Sequence, residues 1–213
     1  MTASEFSALL VLATATSFTP GPNTTLSTAL AANFGLRHSL RFVCAVPVGW
    51  GLLLALCAGG LGTLIVAQPA LRWAILIGGC VYLLWMAWKL WGSRSLSQVK
   101  AERLQVTFAQ GVGLQFLNIK AWMLALSIVA GWIAGRPDAL ERFVQVLPLM
   151  LAFALFSNLL YATVGSLLSH WLAGPVVDGV ATGARLLVFN RIMAGALVLT
   201  AAWMLVTGIG GPT

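Results

Sequence analysis

The sequence predicts an all-α integral membrane protein: six transmembrane helices forming two inverted three-helix repeats, with helix 1 broken at a Pro-Gly-Pro motif. Three observations carry this expectation. Of 213 residues, 60% are hydrophobic and 8% charged, with a mean hydropathy of +0.94. A soluble domain carries about 25% charged residues, so a membrane-embedded chain with short connections fits far better. Six apolar segments follow one another, each holding at least roughly the 20 residues needed to cross the hydrocarbon. The first of them is interrupted by Thr19-Pro20-Gly21-Pro22-Asn23.

The first span, residues 6–32, contains two prolines and a glycine within three positions. These remove two backbone donors and bring in the residue least tied to a helix. In a bilayer such a break survives only where protein or a wet cavity satisfies the freed groups. Ala13-Thr14-Ala15 has the form of a cleavage site, yet no Lys or Arg precedes it and Glu5 has the wrong sign. Residues 1–30 are therefore expected to be retained. The second span, 42–67, carries Pro47, Gly49 and Gly51, reading as a kink or a close contact. The third spans 70–91, and the fourth, 108–134, contains Asn118-Ile119-Lys120. The fifth, 144–171, contains Ser157, Asn158 and Tyr161, and the sixth is 187–208. The separators are polar or carry glycine and proline: Asn33 to Arg41, Gln68-Pro69, Gly92 to Thr107, Gly135 to Arg142, and Ala173 to Arg185.

Charge predicts orientation. The formal charge of +7 would suggest nucleic acid in a soluble chain, but here the cations fall between apolar spans, and nucleic-acid binding is excluded. The odd-numbered connections and their flanks hold eight cations: Arg37, Arg41, Lys89, Arg94, Lys100, Arg103, Arg185 and Arg191. The other side holds three, Arg72, Arg136 and Arg142. That asymmetry predicts odd connections in the cytoplasm and both termini outside. The third connection, with Lys100, Glu102 and Arg103, reads as a short linker at the membrane surface. Three spans per half force the halves, about 1–95 and 106–213 of a single domain, into opposite orientations. Interruptions at corresponding positions of inverted halves are the best sequence pointer to a transport site.

Lys120 stands out. It lies about 12 residues into the fourth span, ~18 Å along a straight helix, where a lone ammonium costs a few kcal/mol or more. No Asp or Glu occurs within a span to pair with it. It is a candidate to bind a substrate carboxylate or to cycle a proton, and the sequence does not separate these. A half-helix starting at Pro22 would aim its amides and positive dipole end at an anionic group. Asn23, Thr24, Thr25, Ser27 and Thr28 supply polar groups there. Asn118 and Gln115 share a face of helix 4, as substrate contacts or as interhelical hydrogen bonds. Asn158 and Tyr161, three apart on helix 5, are candidates for the same lining. The candidate binding set is thus Pro20, Gly21, Pro22, Asn23, Thr24, Asn118, Lys120, Asn158 and Tyr161.

Other features carry less chemistry. Cys44, Cys57 and Cys80 lie in spans without a CxxC or a nearby His, and read as small apolar residues. No metal site and no cofactor are implied. His38 and His170 sit at span ends. Gly111-Val112-Gly113 opens a span with no preceding strand and is no nucleotide loop. Gly131 and Gly135 have GxxxG spacing, a weak sign of helix packing that leaves a homo-oligomer open. Trp73, Trp91 and Trp171 fall where interfaces are expected.

The Thr19-Pro20-Gly21-Pro22-Asn23 string, followed by Gly35 and Arg37, resembles the first-helix signature of the LysE/RhtB superfamily of amino-acid exporters. Asn118-Ile119-Lys120 stands where that family has Asn-Pro-Lys, and lacks the proline. The strings Cys57-Ala58-Gly59, Trp85-Met86-Ala87-Trp88-Lys89 and Leu114-Gln115-Phe116-Leu117-Asn118-Ile119-Lys120 resemble the cysteine and O-acetylserine exporter branch, whose members also lack that proline. The resemblance covers essentially the whole chain. It implies six spans in inverted halves, export of small amino acids or close derivatives from the cytoplasm, coupling to the proton motive force, and no prosthetic group.

The expected function is therefore a secondary exporter whose partners are a small amino-acid substrate and the lipid bilayer. A membrane-embedded enzyme and a non-transporting assembly subunit are the alternatives. No HExxH, no intramembrane carboxylate pair and no His near a candidate Ser nucleophile supports the enzyme.

Overall fold

The computed structural model describes residues 1–62, 67–91, 106–174, 176–177, 180–181 and 183–209. Almost all of these are helical. α1 (Ala3–Phe18) starts at a capping box in which Thr2 and Glu5 exchange hydrogen bonds. α2 (Pro22–Phe34) follows after three extended residues. α3 (Leu36–Ala58), α4 (Pro69–Trp91) and α5 (Phe108–Leu117) come next. α6 (Ile119–Ile128) continues into a π-helical turn, Val129–Ile133. α7 (Ala139–Ala173) is the longest element, and α8 (Ala184–Ile209) is the last. Two-residue strands, Val176–Val177 and Val180–Ala181, pair between α7 and α8.

Four helices, α3, α4, α7 and α8, are long and apolar enough to cross a membrane. A fifth crossing arises if α5 and α6 with the π-turn, bent by 69°, count as one. Many large apolar side chains face outward, among them Val81, Trp88, Leu167, Leu199 and Val206. This is the pattern expected of a bundle whose solvent is lipid rather than water.

α2 is the centre of the fold. Eleven of its 13 residues are buried, and it packs chiefly on α7 and α3. Gly165 lets α7 come so close that a Cβ there would lie 2.3 Å from the Thr28 carbonyl oxygen. On one side α2, α3, α4, α5 and α8 share a core around Leu26, Phe42, Leu83, Met86 and Leu197. On the other, α1, α3, α6 and α7 share one around Leu9, Leu53, Ile128 and Met150.

Three expectations are corrected. Residues 33–41 do not form a connection: α2 and α3 are separated by Gly35 alone, whose φ of +80° permits the turn. Gly131 and Gly135 make no close helix contact, because Gly135 ends the segment at φ +71° and nothing lies within 4 Å of a Cβ at either. The close approaches fall elsewhere. A Cβ on Gly49 would be 2.6 Å from the Val112 carbonyl, and one on Gly79 would collide with the Leu117 carbonyl. Of the two readings of Gly49 and Gly51, close contact is the one found. The ~18 Å depth of Lys120 assumed a straight helix, whereas the chain turns by 69° just before it. The third connection, with Arg94, Lys100, Glu102 and Arg103, lies outside the described residues.

Candidate functional site

The break between α1 and α2 follows from covalent chemistry. Pro20 and Pro22 have no N–H to donate. Thr19 (φ −71°, ψ 128°) and Gly21 (φ −165°, ψ −174°) are extended, and Pro22 occupies the first turn of α2. The Gly21 N–H donates to Thr24 Oγ1 at 2.9 Å, and the Thr24 hydroxyl donates back to the Gly21 carbonyl at 3.1 Å. Tyr161 OH donates to the Phe18 carbonyl at 2.9 Å.

The break between α5 and α6 needs no proline. Asn118 (φ −94°, ψ 97°) leaves the helix, and its Oδ1 accepts the Lys120 backbone N–H at 3.1 Å. That diverts the donor owed to the Phe116 carbonyl, which Trp122 Nε1 serves instead at 2.9 Å. An Asn side chain competing for a backbone N–H is the ordinary way such residues start a new helix.

The two breaks meet. Lys120 Nζ lies 3.4 Å from the Thr19 carbonyl oxygen, and a Cβ on Gly21 would be 3.4 Å from the same nitrogen. Beside them is a cavity of ≈ 540 Å³, mouth included. Its polar wall is Thr16, Ser17, Thr19, Asn23, Thr24, Asn118, Lys120, Ser157 and Asn158, completed by apolar residues such as Trp50 and Met150. Lys120 is half-buried and no carboxylate lines the cavity. Thr16, Thr19, Gly21, Pro22 and Lys120 also border a wider, mostly apolar groove of ≈ 1060 Å³ that runs along Leu199, Thr200 and Trp203 of α8. The cation and the first break thus form the partition between cavity and groove.

Paired amides fix the walls. Asn23 Nδ2 donates to Gln115 Oε1 at 2.8 Å, and Gln115 Nε2 donates to Asn23 Oδ1 at 3.2 Å. Ser27 Oγ donates to Asn158 Oδ1 at 2.9 Å, joining α2 to α7. Further along α2, Asn33 and Asn190 exchange two hydrogen bonds at 2.7 and 2.9 Å, joining it to α8. Each satisfies groups that burial would otherwise penalise.

The profile of the LysE type translocator family matches residues 14–193. The cysteine/O-acetylserine efflux protein of Salmonella paratyphi A is 30% identical over 167 residues, covering 78% of this chain and 85% of that one. The protein of the same description from Escherichia coli K12 is 30% identical over 170 residues, with the same coverage. No solved structure matches the chain. The chain belongs to the LysE family. Within the LysE/RhtB superfamily it falls with the cysteine/O-acetylserine efflux branch, as the strings around Cys57, Trp85 and Gln115 imply. It is a transporter rather than an enzyme, a multi-pass inner-membrane protein built for amino-acid export.

Set against this LysE-family frame, the candidate residues sort by position. Gly21, Pro22, Asn23, Thr24, Asn118, Lys120 and Asn158 line the cavity together. Pro20 lines the groove on the other side of the partition. Tyr161 is not in the wall and instead holds the end of α1. Thr16, Ser17 and Trp50 line the cavity without having been singled out. The run of hydroxyls Thr14, Thr16, Ser17 and Thr19 just before Pro20 was the available signal for the first two.

Proposed function

We propose that this LysE-family protein is a secondary exporter of small neutral amino acids or close derivatives, cysteine- and O-acetylserine-like, driven by the proton motive force. The observation that carries the reading is the meeting of two helix breaks, one from each half of the chain, at a cavity holding one cation and no acid. α1 and α2 are read as one broken crossing and α5 and α6 as its counterpart, giving six spans in inverted halves, about 1–95 and 106–213, with both termini periplasmic. The substrate carboxylate is assigned to Lys120 and to the amides that open α2. Such pairing of half-helix ends with a charged ligand group is a recurring solution in secondary carriers. A homo-oligomer is compatible with the outward-facing apolar surface.

Efflux from loaded proteoliposomes, over a panel of amino acids with and without an imposed pH gradient, tests this. Neutral amino acids should leave faster than acidic or diamino ones, and a gradient should drive accumulation. Lys120→Gln should weaken substrate binding tenfold or more, since a hydrogen bond to a charged group contributes roughly 1.5–3 kcal/mol. If Lys120 instead cycles a proton, Lys120→Gln retains exchange but loses the response to the gradient. Lys120→Arg then binds without cycling, because guanidinium keeps its proton. Parent-like behaviour of both variants sinks the assignment of Lys120.

A further inference from the structure

The last four carbonyls of an α-helix have no donor within it, and at the end of α1 each meets a different fate. The Thr19 hydroxyl donates to the Ala15 carbonyl, and Tyr161 OH to that of Phe18. The Thr16 carbonyl would take the N–H four residues on, but that residue is Pro20, which has none. The Ser17 carbonyl would take the Gly21 N–H, which turns away to Thr24 Oγ1. Among the described residues no donor reaches either carbonyl. Thr16 and Ser17 both line the cavity that contains Lys120. Carbonyls in such a place call for a donor, and the negative end of the α1 dipole favours a positively charged one.

We propose that the carbonyls of Thr16 and Ser17 bind the α-ammonium of the substrate, so that a free amino group is recognised by backbone oxygens rather than by an acidic side chain. This rests on the reading that the Lys120 side of the cavity takes the carboxylate. The zwitterion then lies between the negative end of α1 and the cation beyond the break. A bare metal cation fits these oxygens less well. It would sit near the ammonium that already lies 3.4 Å from the Thr19 carbonyl, whereas a zwitterion brings its own carboxylate to offset that repulsion. N-acylated amino acids lose the charge and one donor. Diamino acids bring a second cation into a wall without an acid.

The test is equilibrium binding to the purified full-length protein of three probes: an amino acid that the parent exports, its α-hydroxy acid, and its N-acetyl derivative. The α-hydroxy and N-acetyl compounds should bind at least tenfold more weakly than the amino acid. Pro20→Ala gives residue 20 an N–H that competes for the Thr16 carbonyl whenever Thr19 turns helical. It should weaken the amino acid more than the hydroxy acid, drawing their ratio toward one. Lys120→Gln should weaken both by the same factor. Equal binding of amino and hydroxy acid by the parent overturns the inference while leaving the exporter reading intact. Loss of amino-acid binding when choline replaces sodium also overturns it, since the carbonyls would then hold a sodium ion. Failure of every amino acid to bind or to be exported would overturn both readings together. Should Pro20→Ala not accumulate, the three-probe comparison on the parent decides alone.

Discussion

Between Phe18 and Pro22 the chain leaves its helix because two residues have no N–H. Between Leu117 and Ile119 it does so at one residue, Asn118, whose side chain takes a backbone donor. The first break is written into the covalent chain and then pinned by Thr24, Tyr161 and the Asn23–Gln115 pair. The second rests on one hydrogen bond of 3.1 Å, with Trp122 serving the carbonyl that this bond releases. The products differ as well. The first leaves the Thr16 and Ser17 carbonyls with no donor among the described residues; the second has the Phe116 carbonyl served by Trp122 Nε1 and brings Lys120 to the cavity.

The largest expected effect comes from removing the conditional break. Asn118→Leu deletes the side chain that diverts the Lys120 N–H and puts a strong helix former between Leu117 and Ile119. Residues 108–128 should run on as one helix, swinging Lys120 out of the cavity. Export should fall at least a hundredfold while the protein still reaches the membrane, measured as efflux per molecule in proteoliposomes. Near-parental efflux would show that the bend is held by packing rather than by Asn118.

Removing the prolines should do less. Pro20→Ala with Pro22→Ala restores two N–H groups, but the Thr24, Tyr161 and Gln115 bonds still favour the extended segment. A several-fold to tenfold loss of export is expected, with insertion unaffected because apolar packing is untouched. Full activity would make the break incidental, and a loss as deep as that of Asn118→Leu would erase the contrast between the two.

This contrast explains what could be read in advance. Pro20, Gly21 and Pro22 act on the backbone wherever they occur, so the first break was visible in the string itself. Asn118 caps or interrupts a helix only in context, so the sequence showed a polar insertion without deciding its shape. The Thr16 carbonyl loses its donor to Pro20, which the string shows, but that of Ser17 depends on which way the Gly21 N–H turns, and no residue type announces that. Gly35 hid in a polar stretch that looked like a connection, although only one positive φ was needed to turn the chain. Gly131 and Gly135 have the right spacing for a helix contact, but Gly135 is a turn, and spacing is silent on that. The apolar spans and the family strings needed no context and carried the all-helical membrane class and amino-acid export.

A third substitution acts on what supports the first break. α2 holds its place partly because α7 approaches at Gly165, where a Cβ would come within 2.3 Å of the Thr28 carbonyl. Gly165→Ala should push the two helices apart and cost about 1–3 kcal/mol, the usual range for overpacking. A lower melting temperature in detergent, with only a modest loss of export, would sharpen the comparison, since the close approach to α6, at Gly62, meets the Leu126 side chain rather than backbone. An unchanged melting temperature would mean that α7 gives way without cost and that α2 is held by its amide pairs instead.

The smallest effect lies at the opposite end of α1 from the break, where the chain is anchored by charge. Glu5, just before the apolar span, lies 3.2 Å from Arg142 Nη1 and 3.6 Å from Arg136, and Arg142 Nε bonds both oxygens of Asp138 at 2.8 and 2.9 Å. The Thr2 backbone N–H and then the Arg142 guanidinium pull the Glu5 carboxyl down from 4.5 to about 2. Asp138 is lowered in the same way, chiefly by its hydrogen bonds to Arg142. A carboxyl with a depressed folded-state pKa stabilises the fold above its unfolded value and loses that stabilisation as pH falls toward the folded one. The contribution of Glu5 is therefore complete at neutral pH and fades between about 4.5 and 2. Melting temperature should be flat from pH 8 to 5 as far as this cluster is concerned, then fall on acidification. Glu5→Gln should lower it slightly at neutral pH and flatten the acid limb, leaving substrate binding unchanged, because Glu5 does not line the cavity. A change in substrate affinity for this variant would mean that the anchored end of α1 and its open carbonyls move as one body, and that the first break is less independent of its surroundings than its prolines suggest.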